Sequence, residues 1–161
     1  MIKKILLVLL SALVIIQFIH PKKNKAEGPQ PDYIGNSFTI SGDVKSILAK
    51  ACNDCHTNNT KYPWYTNIQP VHWFMNSHIK NGKRKFNLDE YTSRSLRYQY
   101  NKMEDVIEQI KEGEMPLNQY LWIHKTARLT QPEKDILISW ANSIMDTLKA
   151  RYPVDSLVKK K

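Results

Sequence analysis

The sequence predicts an all-α domain. Apolar residues recur at helical spacing in separate stretches, Gly and Pro fall at the ends of those stretches, and no segment reads as a strand. The chain has 161 residues. Beyond an apolar N-terminal segment about 140 remain, enough for one compact domain and too few for two.

Lys3 and Lys4 precede an uncharged run from Ile5 to Ile19, which His20-Pro21 and the basic Lys22, Lys23 and Lys25 follow. A charged start, an apolar run and no small-residue cleavage site around Gln17 to Pro21 are the marks of an uncleaved signal anchor. The expectation is therefore a transmembrane helix over 1–20, with lysines at both ends snorkelling to cover its short length. Residues 21–42 are rich in Pro, Gly, Asn and Lys, and read as a linker.

The domain is expected over 43–152. Val44, Ile47, Leu48 and Ala51 follow one helical face that Ser41 or Asp43 can cap. Thr57 to Gln69 is a polar loop turning aromatic at Tyr62, Trp64 and Tyr65. A second helix is predicted from about Pro70 to Gly82, with the glycine as its stop. Lys83 to Ser93 is basic and irregular. Leu96, Met103, Val106, Ile107 and Ile110 mark a helix from Ser95 to Glu112 that Gly113 ends. Pro116 keeps Met115 on a loop. Thr130-Gln131-Pro132-Glu133 is a capping box, opening a helix that turns Ile136, Leu137, Trp140, Ile144 and Leu148 inward. Residues 153–161 form a basic tail.

Both cysteines of the chain lie in Cys52-Asn53-Asp54-Cys55-His56. That spacing is the one used for covalent c-type haem, with two thioether tethers and the next imidazole on the iron. A redox dithiol fits less well, because helix-patterned residues and no strand precede Cys52. A zinc site fits poorly too, since His56, His72, His78 and His124 have no finger-like spacing. Helical spacing puts both sulfurs on one side of the chain, where a planar macrocycle can meet them together. The haem motif orients the expected anchor: thioether attachment belongs on the exported side of a bacterial membrane, so the domain is expected on the periplasmic face of the cytoplasmic membrane.

The order of elements is helix, CxxCH, loop and helices, Met-Pro loop, C-terminal amphipathic helix. This is the layout of a cytochrome c-like fold around one haem, with Met115 offering its thioether as the second axial ligand. His72, His78 and His124 are the other candidates for that position, and His124 is the main alternative because it follows the Met-Pro loop closely. His72 and His78, six apart on one helix, cannot both face a single pocket. Trp64, Tyr65 and Trp73, with Trp122 and Trp140, are candidates to wall the haem. Pro63 or Pro70 can offer a carbonyl to the second nitrogen of His56.

The chain resembles the membrane-anchored haem-binding domain family, single-haem proteins related to cytochrome c. The resemblance rests on His20-Pro21, on the CxxCH followed by Thr60-Lys61-Tyr62-Pro63-Trp64-Tyr65, on Ile68, Pro70 and Trp73, on Gly113-Glu114-Met115-Pro116 and Tyr120, and on His124, Leu129-Thr130, Glu133 and Trp140. It implies covalent haem at Cys52 and Cys55, with His56 and Met115 on the iron. The function expected is that of a membrane-anchored monohaem cytochrome passing single electrons, an electron carrier and not an enzyme. A haem-based redox or gas sensor and a small peroxidase-like enzyme are the alternatives. The net charge of +9 suits acidic redox partners. Nucleic acid is not an expected partner, because no recognised nucleic-acid motif accompanies the lysines.

Overall fold

The computed structural model describes residues 1–158, so Lys159 to Lys161 of the expected basic tail lie outside the described residues. It is all-α: α1 (Ile2–Ile16), α2 (Gly42–Ala51), α3 (Asn53–His56), α4 (Val71–Lys85), α5 (Leu96–Glu112), α6 (Asn118–Ile123), α7 (Gln131–Arg151) and α8 (Val154–Leu157). Short 3₁₀ turns at Ile34–Asn36, Trp64–Asn67, Leu88–Glu90 and Lys125–Ala127 join them.

The helix ends follow local chemistry. Ser41 caps α2 by accepting from the Val44 amide, and Ser95 caps α5 by accepting from the Tyr98 amide. Gly113 closes α5 in the left-handed region at φ 74°, which a glycine reaches without steric cost. At the start of α7 the full capping box of Thr130 and Glu133 is present. The core is built where α5 packs on α7, α8 packs on α5 and α2 packs on α7. Met103 and Ile110 of α5 meet Leu137, Ile144 and Leu148 of α7 there, and all five are buried.

Four expectations are corrected. The first is the transmembrane helix over 1–20: among the described residues no helix is long and apolar enough to cross a membrane. α1 holds 15 residues, about 22 Å of helix against a hydrocarbon core of roughly 30 Å. It stops where the Gln17 side chain turns to the domain, accepting from the Gln69 amide at 2.9 Å and donating to the Gln69 carbonyl at 3.2 Å. Ile19 then gives its carbonyl to Gln69 Nε2 and Trp73 Nε1, both at 2.9 Å. The single-pass anchor falls with this finding, and so does the placement in the cytoplasmic membrane that depended on it.

The second concerns the linker. Ile34 is fully buried and Phe38 nearly so, while the Asn24 side chain donates to Thr57 O and Thr60 Oγ1. The Pro and Gly residues of 21–42 break helical periodicity without preventing this segment from lying against the domain.

Thirdly, Gly82 does not stop a helix. α4 runs through it to Lys85, the Phe86 amide still donating to the Gly82 carbonyl, and the glycine instead faces a close neighbour, described below. Finally, part of the C-terminal stretch read as tail forms α8, whose Leu157 enters the core at 1 % exposure.

Candidate functional site

α2 ends at Cys52, whose φ of −126° breaks the helix and starts the separate turn α3. The break turns Cys52, Cys55 and His56 onto one cavity of about 660 Å³, a size within the ordinary range for a bound organic group. Met115, Pro116 and Leu117 reach the same cavity from the loop between α5 and α6, and Trp140 and Leu137 reach it from α7. The spacing-based grouping of the two cysteines and His56 with Met115 is therefore brought together in space.

His56 is held in one orientation. Its Nδ1 donates to the Phe86 carbonyl at 2.8 Å, so Nε2 is the nitrogen free to act as a ligand. Burial lowers the pKa of the ring, and hydrogen bonds to the Phe86 and Gly82 carbonyls oppose that shift. The ring nitrogen's partner is thus Phe86, and neither Pro63 nor Pro70. A backbone carbonyl carries no residue-type signal, which is why the sequence pointed elsewhere.

Both thiols are free. Burial, then the proximity of Cys55, pushes Cys52 up to about 12. Burial, then the charge of Asp54, pushes Cys55 up to about 11. Thiols raised by burial are the opposite of the depressed values that mark a reactive redox dithiol. Among the described residues, moreover, no three His, Cys, Asp or Glu side chains converge to hold a bare metal ion. The donor set instead suits a haem: two thiols on one side, one oriented imidazole and one thioether, around a cavity walled by apolar groups.

Several expected site residues lie elsewhere. Trp64, Tyr65 and Trp73 do not line the cavity; Trp64 is 75 % exposed, and Trp73 spends its indole N–H on Ile19. Their closeness to the CxxCH along the chain does not survive folding, because the loop carries them past the cavity, and Trp140 takes the expected aromatic place. His124 is also outside the lining. Its Nδ1 donates to the Tyr120 carbonyl at 3.2 Å, and in the neutral ring Nε2 then accepts from the Tyr65 hydroxyl at 2.9 Å, so its lone pair is already used. His72 is buried away from the cavity, whereas His78 lines it, with Nδ1 donating to the Phe74 carbonyl.

Residues missed at the sequence level include Gly82, Asp54 and Tyr120. Tyr120 donates to Asp54 Oδ2 at 2.8 Å, and both line the cavity. Asp54 is an unspecified position of the CxxCH pattern, so only the fold reveals its partner. Lys85 and Lys102 also line the cavity, Lys102 paired with Asp105.

No curated protein and no solved structure matches the chain. The family model described as "Haem-binding domain" matches residues 11–143, well over half of the length and including every cavity residue named above. This chain belongs to the haem-binding domain family.

Proposed function

We propose that this haem-binding protein is a monohaem c-type cytochrome that passes single electrons between partner proteins. The observation that carries the reading is the convergence of Cys52, Cys55, His56 and Met115 on one cavity, with His56 Nδ1 already bonded to Phe86. Cys52 and Cys55 would tether haem as thioethers, and His56 Nε2 and the Met115 sulfur would hold the iron. When bound, haem supplies reversible one-electron chemistry; the chain supplies position and environment.

Each residue has a distinct part in that environment. The Phe86 carbonyl fixes the His56 tautomer and makes its Nε2 a better donor. Met115 offers a soft thioether, which favours the reduced state relative to a second imidazole. Leu137, Ile110 and Trp140 give the cavity an apolar wall, and Lys85 brings an ammonium group suited to carboxylates. The net charge of +9 supports partners with acidic docking faces.

The test is covalency. Protein made in a host with c-type maturation machinery should keep haem through denaturing electrophoresis and acid–acetone extraction, and Cys52→Ala with Cys55→Ala should lose it. Haem that extracts from the parent protein overturns the reading.

A further inference from the structure

We propose that the Tyr120–Asp54 hydrogen bond is a positioning device that holds the Met115 loop at the cavity by fastening it to the CxxCH turn. The proposal rests on the reading of Met115 as an axial ligand and assigns the residues that keep it there.

Met115 is secured upstream by α5. The Glu114 and Met115 amides donate to the Gln109 carbonyl at 3.0 and 3.3 Å, beyond the left-handed Gly113. Downstream it is continuous through buried Pro116 with α6, a helix of 6 residues. Among the described residues, α6 packs its backbone closely only on the turn Lys125–Ala127. Backbone packing therefore does not fasten α6 to α3, and side chains must do so.

Tyr120 makes that link. Its hydroxyl crosses to Asp54 Oδ2 at 2.8 Å, joining residues 66 apart in sequence. The acceptor is itself held: Asp54 Oδ1 takes the Lys61 amide at 3.0 Å, and the Asp54 carbonyl takes Thr60 Oγ1 at 2.6 Å. On its face the Tyr120 ring stacks on His124, with centroids 4.1 Å apart and planes 16° from parallel. Tyr65 donates to His124 and so closes the support from the 3₁₀ turn Trp64–Asn67. The histidine and the tyrosine that look like ligand and pocket wall in the sequence are thus the buttress of the latch. A carboxylate only accepts, and burial together with the Asp54 charge raises the Tyr120 pKa, so the phenol stays a donor.

The device joins the turn carrying His56 to the loop carrying Met115. A hydrogen bond to a charged group contributes enough that its loss should raise the Met115-off population about tenfold or more.

Tyr120→Phe removes one oxygen and keeps the stacked ring. Expected results are an accelerated binding of carbon monoxide to the ferrous protein, loss of the sulfur-to-ferric-iron band at lower temperature than in the parent, and faster hydrogen exchange of amides 115–123. Asp54→Asn, which retains an acceptor, should fall between the parent and Asp54→Ala. If Tyr120→Phe matches the parent in all three readouts while Met115→Ala has lost the band, the positioning role is overturned alone. If Met115→Ala leaves the spectrum unchanged, the axial reading and the positioning role fall together.

Discussion

Gly82 of α4 faces the backbone of Cys55 so closely that a β-carbon at residue 82 would lie 2.7 Å from the Cys55 carbonyl oxygen and 3.1 Å from its Cβ. A contact under 3 Å to backbone cannot be relieved by a rotamer change, so either α4 or the CxxCH turn would have to shift. Phe86, the acceptor for His56, follows four residues later as the extended residue that caps the end of α4. The glycine therefore sets both the spacing of α3 against α4 and the aim of the imidazole.

Gly82→Ala tests this relationship. Helix propensity alone would favour alanine by up to about 1 kcal/mol, but the clash should reverse the sign and cost about 1–3 kcal/mol. Urea unfolding of the haem-loaded protein measures it. A stabilised variant with an unchanged spectrum would show that the contact relaxes freely.

Met115→Ala and His124→Ala separate the two ligand assignments. Met115→Ala should abolish the sulfur-to-ferric-iron band, open the sixth position to carbon monoxide and lower the potential, while covalent haem and helicity persist. His124→Ala should leave iron six-coordinate, with a weakened Met115 band because Tyr120 loses its stacking partner. Five-coordinate iron in His124→Ala, beside an unaltered Met115→Ala, reverses the assignment.

His72 predicts an acid-sensitive stability. It is 2 % exposed, neither ring nitrogen has a hydrogen-bond partner among the described residues, and His20 stands beside it at 5.6 Å between ring centroids. Burial first, then the charges of His20 and Lys23, lowers its pKa. The unfolded chain then binds the proton more readily, so the contribution is intact above the ordinary histidine value of about 6.5 and is lost as pH falls below it. His72→Leu should flatten the loss of urea midpoint between about pH 7 and pH 5. An identical slope in parent and variant would remove His72 as the cause.

Glu133 acts at lower pH. Its carboxylate pairs with Lys50 at 2.6 Å and accepts from the Thr130 amide at 2.9 Å, and the Lys50 bond leads the causes that hold it down to about 2. A depressed carboxyl stabilises the fold above its unfolded value and loses that contribution as pH falls toward its folded one. Glu133→Gln keeps the capping geometry and should cost no more than about 1 kcal/mol at neutral pH, while softening the acid limb of unfolding. Thermal scans from pH 6 to pH 2 check it; an unsoftened limb would place acid lability elsewhere.

The sequence was most readable where one local rule governs. Ser95 and Gly113 bracket α5, and Thr130 with Glu133 opens α7, because caps depend on residues three or four apart. That Cys52, Cys55 and His56 face one cavity was readable because residues so close in sequence share a single turn. Gly82 misled because a glycine that ends a helix and one that admits a neighbour look alike in one dimension. Trp64 and Trp73 misled because nearness in sequence stood in for nearness in space. The Asp54–Tyr120 pairing had no local signal at all. The apolar N-terminal run was visible, but the turn of Gln17 onto Gln69 that limits α1 to 15 residues was not.

Leu48, Leu88, Ile110, Leu129, Leu137 and Trp140 belong at once to the hydrophobic core and to the wall of the cavity. There is no separate shell of binding residues laid over an independent scaffold. Any group seated there completes the packing that α2, α5 and α7 begin, and its loading and the folding of the chain are a single linked equilibrium. Resistance to heat, to urea and to proteolysis should then rise and fall together with the fraction of molecules that carry the group.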